Sequence, residues 1–191
     1  MGDGTGADTP SVAARDDLAG VVDLFEWLTR EELSRALSEL AYKQRSEVDD
    51  EAIAAAIDVA VAEYALVPAP PAALSEMGPG NTLEAVTEPA DPTDGSDDDA
   101  IALAVGPAAF PSLPADAEDL PHILDVPDRD VDRETLSEAV LERLSADAVA
   151  AIEASDAERL ERLADVTYDI EAWAPVDAGA VRERIVDELE G

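Results

Sequence analysis

Apolar residues recur at helical spacing through the N-terminal part of the chain. A stripe of Leu18, Val21, Val22, Phe25 and Leu28 predicts a first helix of about three turns from Asp16. The motif Thr29-Arg30-Glu31-Glu32 is a capping box, and we expect a second helix there whose inner face carries Leu33, Ala36, Leu37, Leu40 and Ala41. Acidic residues 49–51 open a third helix with an inner stripe of Ile53, Ile57, Ala60, Val61 and Tyr64. The pattern predicts three helices within residues 16–64, with the first break near residue 29.

Two short apolar runs, 64–67 and 101–105, end at Pro68 and at Gly106-Pro107, and we expect them to pair as a β-hairpin. The residues between them are rich in Pro, Gly and Asp and offer nothing to bury, which predicts a disordered acidic insertion at about 68–100. Three helices followed by two strands is the order of a winged helix. We therefore expect a winged-helix-like unit at 13–105, preceded by a disordered tail at 1–12.

The C-terminal half begins with a proline-rich stretch, which predicts an extended connector at 106–131. Helical spacing then returns in a C-terminal helical region at 132–191, with an apolar series of Leu136, Val140, Leu144, Val149 and Ile152. A second capping box at 155–158 opens a helix that ends before Pro175, and Asp177 caps the last helix. Trp27, Tyr168 and Trp173 are expected to anchor the packing. The fold class predicted is α-rich with a small β-hairpin.

Charge narrows the range of functions. The chain has 46 Asp and Glu against 12 Lys and Arg, a net charge of −34, so it has few cations with which to bind nucleic acid or anionic lipid. Mutual repulsion between the acidic residues opposes folding in dilute buffer and is screened at molar salt, which indicates a protein adapted to high salt.

The absence of cysteine excludes disulfides and thiolate chemistry. No membrane span or signal peptide is recognised, and we expect a soluble, cytoplasmic protein.

Basic residues are concentrated on and just after the second predicted helix. We expect an interaction site for an unknown protein partner, formed by Arg30, Arg35, Lys43 and Arg45. The alternative is that they pair with nearby carboxylates such as Glu31, Glu32 and Glu39. No Lys or Arg occurs between Ser46 and Asp128, a range that includes the third helix, where a winged helix would read DNA. Nucleic acid is therefore not the expected partner.

Candidate chemistry centres on the single histidine, His122. A catalytic triad would need a nucleophile beside it, and the sequence has no Gly-x-Ser-x-Gly turn. The nearby Asp125, Asp128, Asp130 and Asp132 lack the spacing of a calcium loop. We therefore predict no catalytic residue, no metal site and no cofactor.

Several segments resemble a small family of uncharacterised haloarchaeal proteins. The segments that carry the resemblance are DLAGVVDLF at 17–25, LTREEL at 28–33, SELAYK at 38–43, GPAAFP at 106–111, LPHILDVP at 120–127 and DVTYDIEAWAPV at 165–176. The resemblance implies no activity and no site residue.

The charge and the motifs together favour a non-catalytic, cytoplasmic interaction or regulatory protein. The alternative is a winged-helix transcription regulator that touches DNA through Arg30 and Arg35. A third hypothesis is an enzyme whose pocket converges on His122 and the four aspartates at 125–132.

Overall fold

A computed structural model describes residues 12–45, 48–77 and 101–190. The helices in these residues are Val12–Asp23 (α1), Arg30–Lys43 (α2), Asp50–Ala62 (α3), Leu120–Leu124 (α4), Arg133–Ala154 (α5), Ala157–Trp173 (α6) and Gly179–Glu190 (α7). The strands are Trp27–Thr29 (β1), Leu66–Pro68 (β2), Leu74–Met77 (β3), Ala102–Val105 (β4) and Asp128–Val131 (β5). The α-rich fold class with a small antiparallel sheet is confirmed.

Side-chain caps set where the helices begin. The Thr29 hydroxyl accepts from the Glu32 N–H at 3.2 Å and the Glu32 carboxylate accepts from the Thr29 N–H at 2.8 Å, so the first predicted capping box is confirmed. The second is wrong by one residue. Asp156 caps α6 by accepting from the Arg159 N–H, whereas Ser155 ends α5 with a left-handed φ of 53°.

A three-stranded antiparallel sheet has the order β1-β4-β2. The predicted hairpin pairing is confirmed, because Val67 lies opposite Ala104. Strand β1 was not predicted: α1 ends at Asp23, before the expected break, and Leu28 lies on the strand rather than on the helix. The elements α1, β1, α2, α3, β2 and β4 follow the order of a winged helix.

Helices cover both faces of this sheet. Side chains alternate along each strand, so Leu28, Leu66 and Leu103 join one buried cluster with α1, α2 and α3. Trp27, Val67, Ala102 and Ala104 point the other way, into a second cluster with α5, α6 and α7. The two helical regions therefore form two cores with the sheet between them.

A two-stranded sheet joins β3 to β5 and differs from two expectations. Strand β3 lies inside the range predicted to be a disordered insertion. The predicted connector is not extended throughout, since it contains α4, whereas β5 is extended and pairs with β3. Pro121 is compatible with α4 because it lies in the first turn, where no N–H is needed. The rest of the insertion, 78–100, and tail residues 1–11 lie outside the described residues.

Candidate functional site

The four predicted interaction residues do not form one patch. Arg30, the first residue of α2, pairs with the Asp58 carboxylate and donates to the Ala54 carbonyl of α3 at 3.3 Å. Lys43, the last residue of α2, pairs with Asp119 at 3.0 Å. At 1.5 Å per residue these positions lie about 20 Å apart along the helix.

The other two predicted cations are exposed. Arg35 lies on the outer surface of α2, and Arg45 follows the helix with a left-handed φ of 55°. Neither has an ion-pair partner among the residues that the structure describes. The alternative pairing with nearby carboxylates is wrong for Lys43 and Glu32, whose partners are the more distant Asp119 and Arg129.

An apolar groove opens between α1, α2 and α3, beside the Lys43 end of α2. We call it the α1–α3 groove. Its volume is about 240 Å³. Asp17 and Gln44 are the polar residues that line it, and the rest of its lining is apolar: Leu18, Leu37, Leu40, Ala41, Val48, Ala52, Ile53, Ala56 and Pro114.

The segment 110–116 contributes Pro114 to the lining of the groove. It is held to α1 by hydrogen bonds from the Ser112 N–H to the Asp16 carbonyl and from the Phe110 N–H to the Asp16 carboxylate, at 2.9 and 3.1 Å. Phe110 is nonetheless 78% exposed and Leu113 45%. Both residues lie close in sequence to Pro114, which lines the groove, and exposed apolar surface is typical of a region that binds another molecule.

The groove has the chemistry of a binding surface for apolar side chains. Its volume lies below the roughly 300–1,000 Å³ of small-molecule pockets. A groove of this size and lining accommodates a few aliphatic side chains of a protein segment.

Elsewhere, a polar network joins the two helical regions. The Tyr64 hydroxyl donates to the Asp147 carboxylate at 2.7 Å, and Arg159 pairs with the same carboxylate at 3.1 Å. Burial and the Asp147 charge raise the pKa of Tyr64 far above its ordinary value. Arg143 and Arg159 each donate to a carbonyl in the last turn of α3, at Val61 and Ala62, both at 2.8 Å. These bonds satisfy two carbonyl groups at the C-terminal end of α3, which lack N–H partners within the helix, and they hold α3 against α5 and α6.

A second buried network surrounds Arg129 of β5. Its guanidinium donates two hydrogen bonds to the Glu32 carboxylate, at 2.8 and 2.9 Å, and stacks 3.8 Å from the centre of the Trp27 ring. Burial alone would raise the pKa of Glu32, but the hydrogen bonds from Arg129 and the Thr29 N–H hold it below its ordinary value. Trp27 is buried as predicted, whereas Tyr168 is exposed and lies under Arg182.

His122 and the four aspartates do not converge on a pocket. His122 is exposed on α4, Asp125 follows that helix in a left-handed conformation, and Asp132 caps α5. Asp128 and Asp130 are exposed on β5. In the described ranges, no group of three His, Asp or Glu side chains is arranged to hold a metal ion.

Among the described helices, none has the length and hydrophobicity needed to cross a bilayer.

The chain matches a protein-family model. The model of DUF7109, a family of unknown function, covers residues 16–190. The chain belongs to this family. It matches no curated protein and no solved structure.

In this DUF7109 chain, one sequence signal could have revealed the groove. The apolar arc predicted for α2 includes Leu37 and Ala41, but the structure buries only Leu33, Ala36 and Leu40 of that arc. The apolar arc is therefore wider than the core requires. Its two half-buried residues, Leu37 and Ala41, line the groove. The Arg129 network gave no comparable signal, because its partners lie about 100 residues away in sequence.

Proposed function

We propose that this protein is a non-catalytic interaction or regulatory protein that binds an apolar segment of a partner protein in the α1–α3 groove. The observation that carries the proposal is the groove itself, whose lining is apolar on three helices. Phe110 and Leu113 belong to the segment that contributes Pro114 to this lining, and both are exposed. Binding of this type buries a few apolar anchors in a preformed groove.

The proposed setting is the cytoplasm of a salt-adapted cell. The net charge of −34 and the presence of a single lysine support it. At molar salt, long-range repulsion between partners is screened, and recognition depends on apolar contact at short range. An apolar groove is the kind of site that retains affinity there.

The test is affinity capture in 2 M KCl with tagged full-length protein from a halophilic host lysate. Ala52→Glu places a carboxylate in the groove, and Ala55→Glu makes the same change at an exposed site on the same helix outside it. Proteins captured equally by the wild type and Ala55→Glu should fall at least about tenfold with Ala52→Glu, which corresponds to about 1.4 kcal/mol. Equal capture by all three proteins would refute the groove as the binding site.

The winged-helix order of elements favours a second candidate, a transcription regulator. Against it, the exposed positions of α3 include Glu51 and Asp58, and Asp58 is already paired with Arg30. Fluorescence anisotropy with duplex DNA separates the two. Binding that survives molar salt and is lost in Arg35→Ala would favour the regulator, and the proposed function predicts no such binding.

A further inference from the structure

The C-terminal helices leave a second groove on the opposite side of the sheet from the first. Helices α5, α6 and α7 each pack against the other two. The outer cleft between α5 and α7 has a volume of about 620 Å³, and we call it the α5–α7 groove. Three helices packed in this way leave a position for a fourth along such a cleft.

The floor of this groove suits a helix. On α5 it is formed by Leu141, Ser145, Ala146 and Val149, which recur at spacings of three and four residues and so lie on one face. Ala180 and Val181 complete it from α7. Small side chains at the centre permit helix axes to approach to about 8–10 Å, and Leu141 and Val149 are half-buried knobs on either side.

The rim of the groove is uniformly acidic. Glu138, Glu142 and Asp177 are exposed, and no Lys or Arg lines the groove. Arg143 of α5 instead contacts Tyr64 and the end of α3, and Arg182 of α7 contacts Thr167 and Glu171 of α6. The contacts of these two arginines lie outside the groove, so the three carboxylates of the rim are not neutralised by them.

From this combination we infer that the α5–α7 groove binds an amphipathic helix of a partner protein whose apolar stripe is flanked by Lys or Arg. The apolar stripe packs on the floor, and the flanking cations pair with the carboxylates of the rim. A second copy of this chain fits poorly, because with 12 Lys and Arg against 46 Asp and Glu it offers few cations that could pair with the rim at short range. The inference does not depend on the α1–α3 groove and concerns a different face of the protein.

The probe is a designed 18-residue helical peptide with a leucine stripe flanked by Lys and Arg, labelled for fluorescence anisotropy against the full chain in 0.5 M KCl. Its control has the same leucine stripe flanked by Glu. Ala146→Arg fills the groove, and Ala150→Arg adds the same charge at an exposed site of α5 outside it. Circular dichroism verifies that both variants are folded.

We expect the basic peptide to bind the wild type and Ala150→Arg with similar Kd and to bind Ala146→Arg at least about tenfold more weakly. Non-specific attraction to a highly acidic protein would be reduced equally in the two variants. Equal Kd values for both variants, or equal binding of the Glu peptide, would therefore overturn the inference. Self-association that Ala146→Arg abolishes, measured by sedimentation, would assign the groove to a second copy and would also overturn it.

Discussion

At the residue scale, Glu32 joins two distant parts of the chain with one carboxylate. It completes the capping box of α2 and also receives two hydrogen bonds from Arg129, whose side chain is only 5% exposed. The cap was predictable, because its residues lie three apart. The ion pair was not, because sequence spacing carries no information about a partner that tertiary packing brings from β5.

Replacing this carboxylate should be costly. Glu32→Gln removes the charge of the carboxylate that receives two hydrogen bonds from the buried Arg129 guanidinium, and we expect a loss of roughly 3 kcal/mol in the free energy of unfolding at pH 7. Because the pKa of Glu32 is lowered in the folded state, its contribution is complete above the ordinary value of 4.5 and disappears as pH falls through the folded-state pKa.

Urea unfolding at pH 7 and at pH 3 measures this effect. The difference between wild type and Glu32→Gln should shrink at the lower pH. Glu31→Gln, which changes an exposed neighbour in the same turn, should cost less than about 0.5 kcal/mol. A difference that is unchanged between the two pH values would contradict the assigned role.

At the element scale, helix α1 has a glycine at the point where the backbone of the segment 110–116 contacts it. A Cβ at Gly20 would lie 1.9 Å from the Ser112 carbonyl oxygen, so only glycine permits this close approach. The helices of this chain were predictable from their spacing and caps. Strand β1 was not, because Leu28 also continues the helical stripe of α1, and β5 was not, because three of its four residues are charged.

Gly20→Ala tests this contact. Alanine favours an isolated helix by about 1 kcal/mol, but displacement of the segment should reverse the sign and give a net loss of roughly 1–3 kcal/mol. Limited proteolysis should cut the variant faster within 110–116, the segment that contributes Pro114 to the α1–α3 groove. Gly179→Ala is the control, since a Cβ there meets only the end of the Asp177 side chain. A gain in stability for Gly20→Ala would show that the segment does not press on α1.

At the scale of the whole molecule, one sheet separates two cores. The sequence held a signal for this arrangement: positions 101–105 are apolar throughout, and an unbroken apolar run is typical of a strand covered on both faces. Strand β4 is such a strand. The sequence did not show that α5, α6 and α7 supply the second cover, because their apolar stripes do not specify a partner.

The net charge of −34 is distributed over this molecule and should make its stability depend on salt. Raising KCl from 0.1 M to 2 M shortens the screening length from about 10 Å to less than about 3 Å. We expect the Tm, measured by differential scanning calorimetry, to rise by roughly 10 °C, which corresponds to a few kcal/mol for a chain of this size. Sucrose of equal osmolality should raise it much less. A Tm that does not change with KCl would contradict the proposed adaptation to salt.

The position of β4 in the centre of the sheet has a consequence for synthesis on the ribosome. Strands β1 and β2 each pair with β4 and not with each other, and β4 is the last of the three to be made. Neither edge strand can form its ladder of hydrogen bonds until β4 has been synthesised, and the residues between β2 and β4 are translated at about 5–20 residues per second. During that interval Trp27 and Val67 have no sheet to join, so the nascent chain depends on its own solubility, which its dense negative charge helps to maintain.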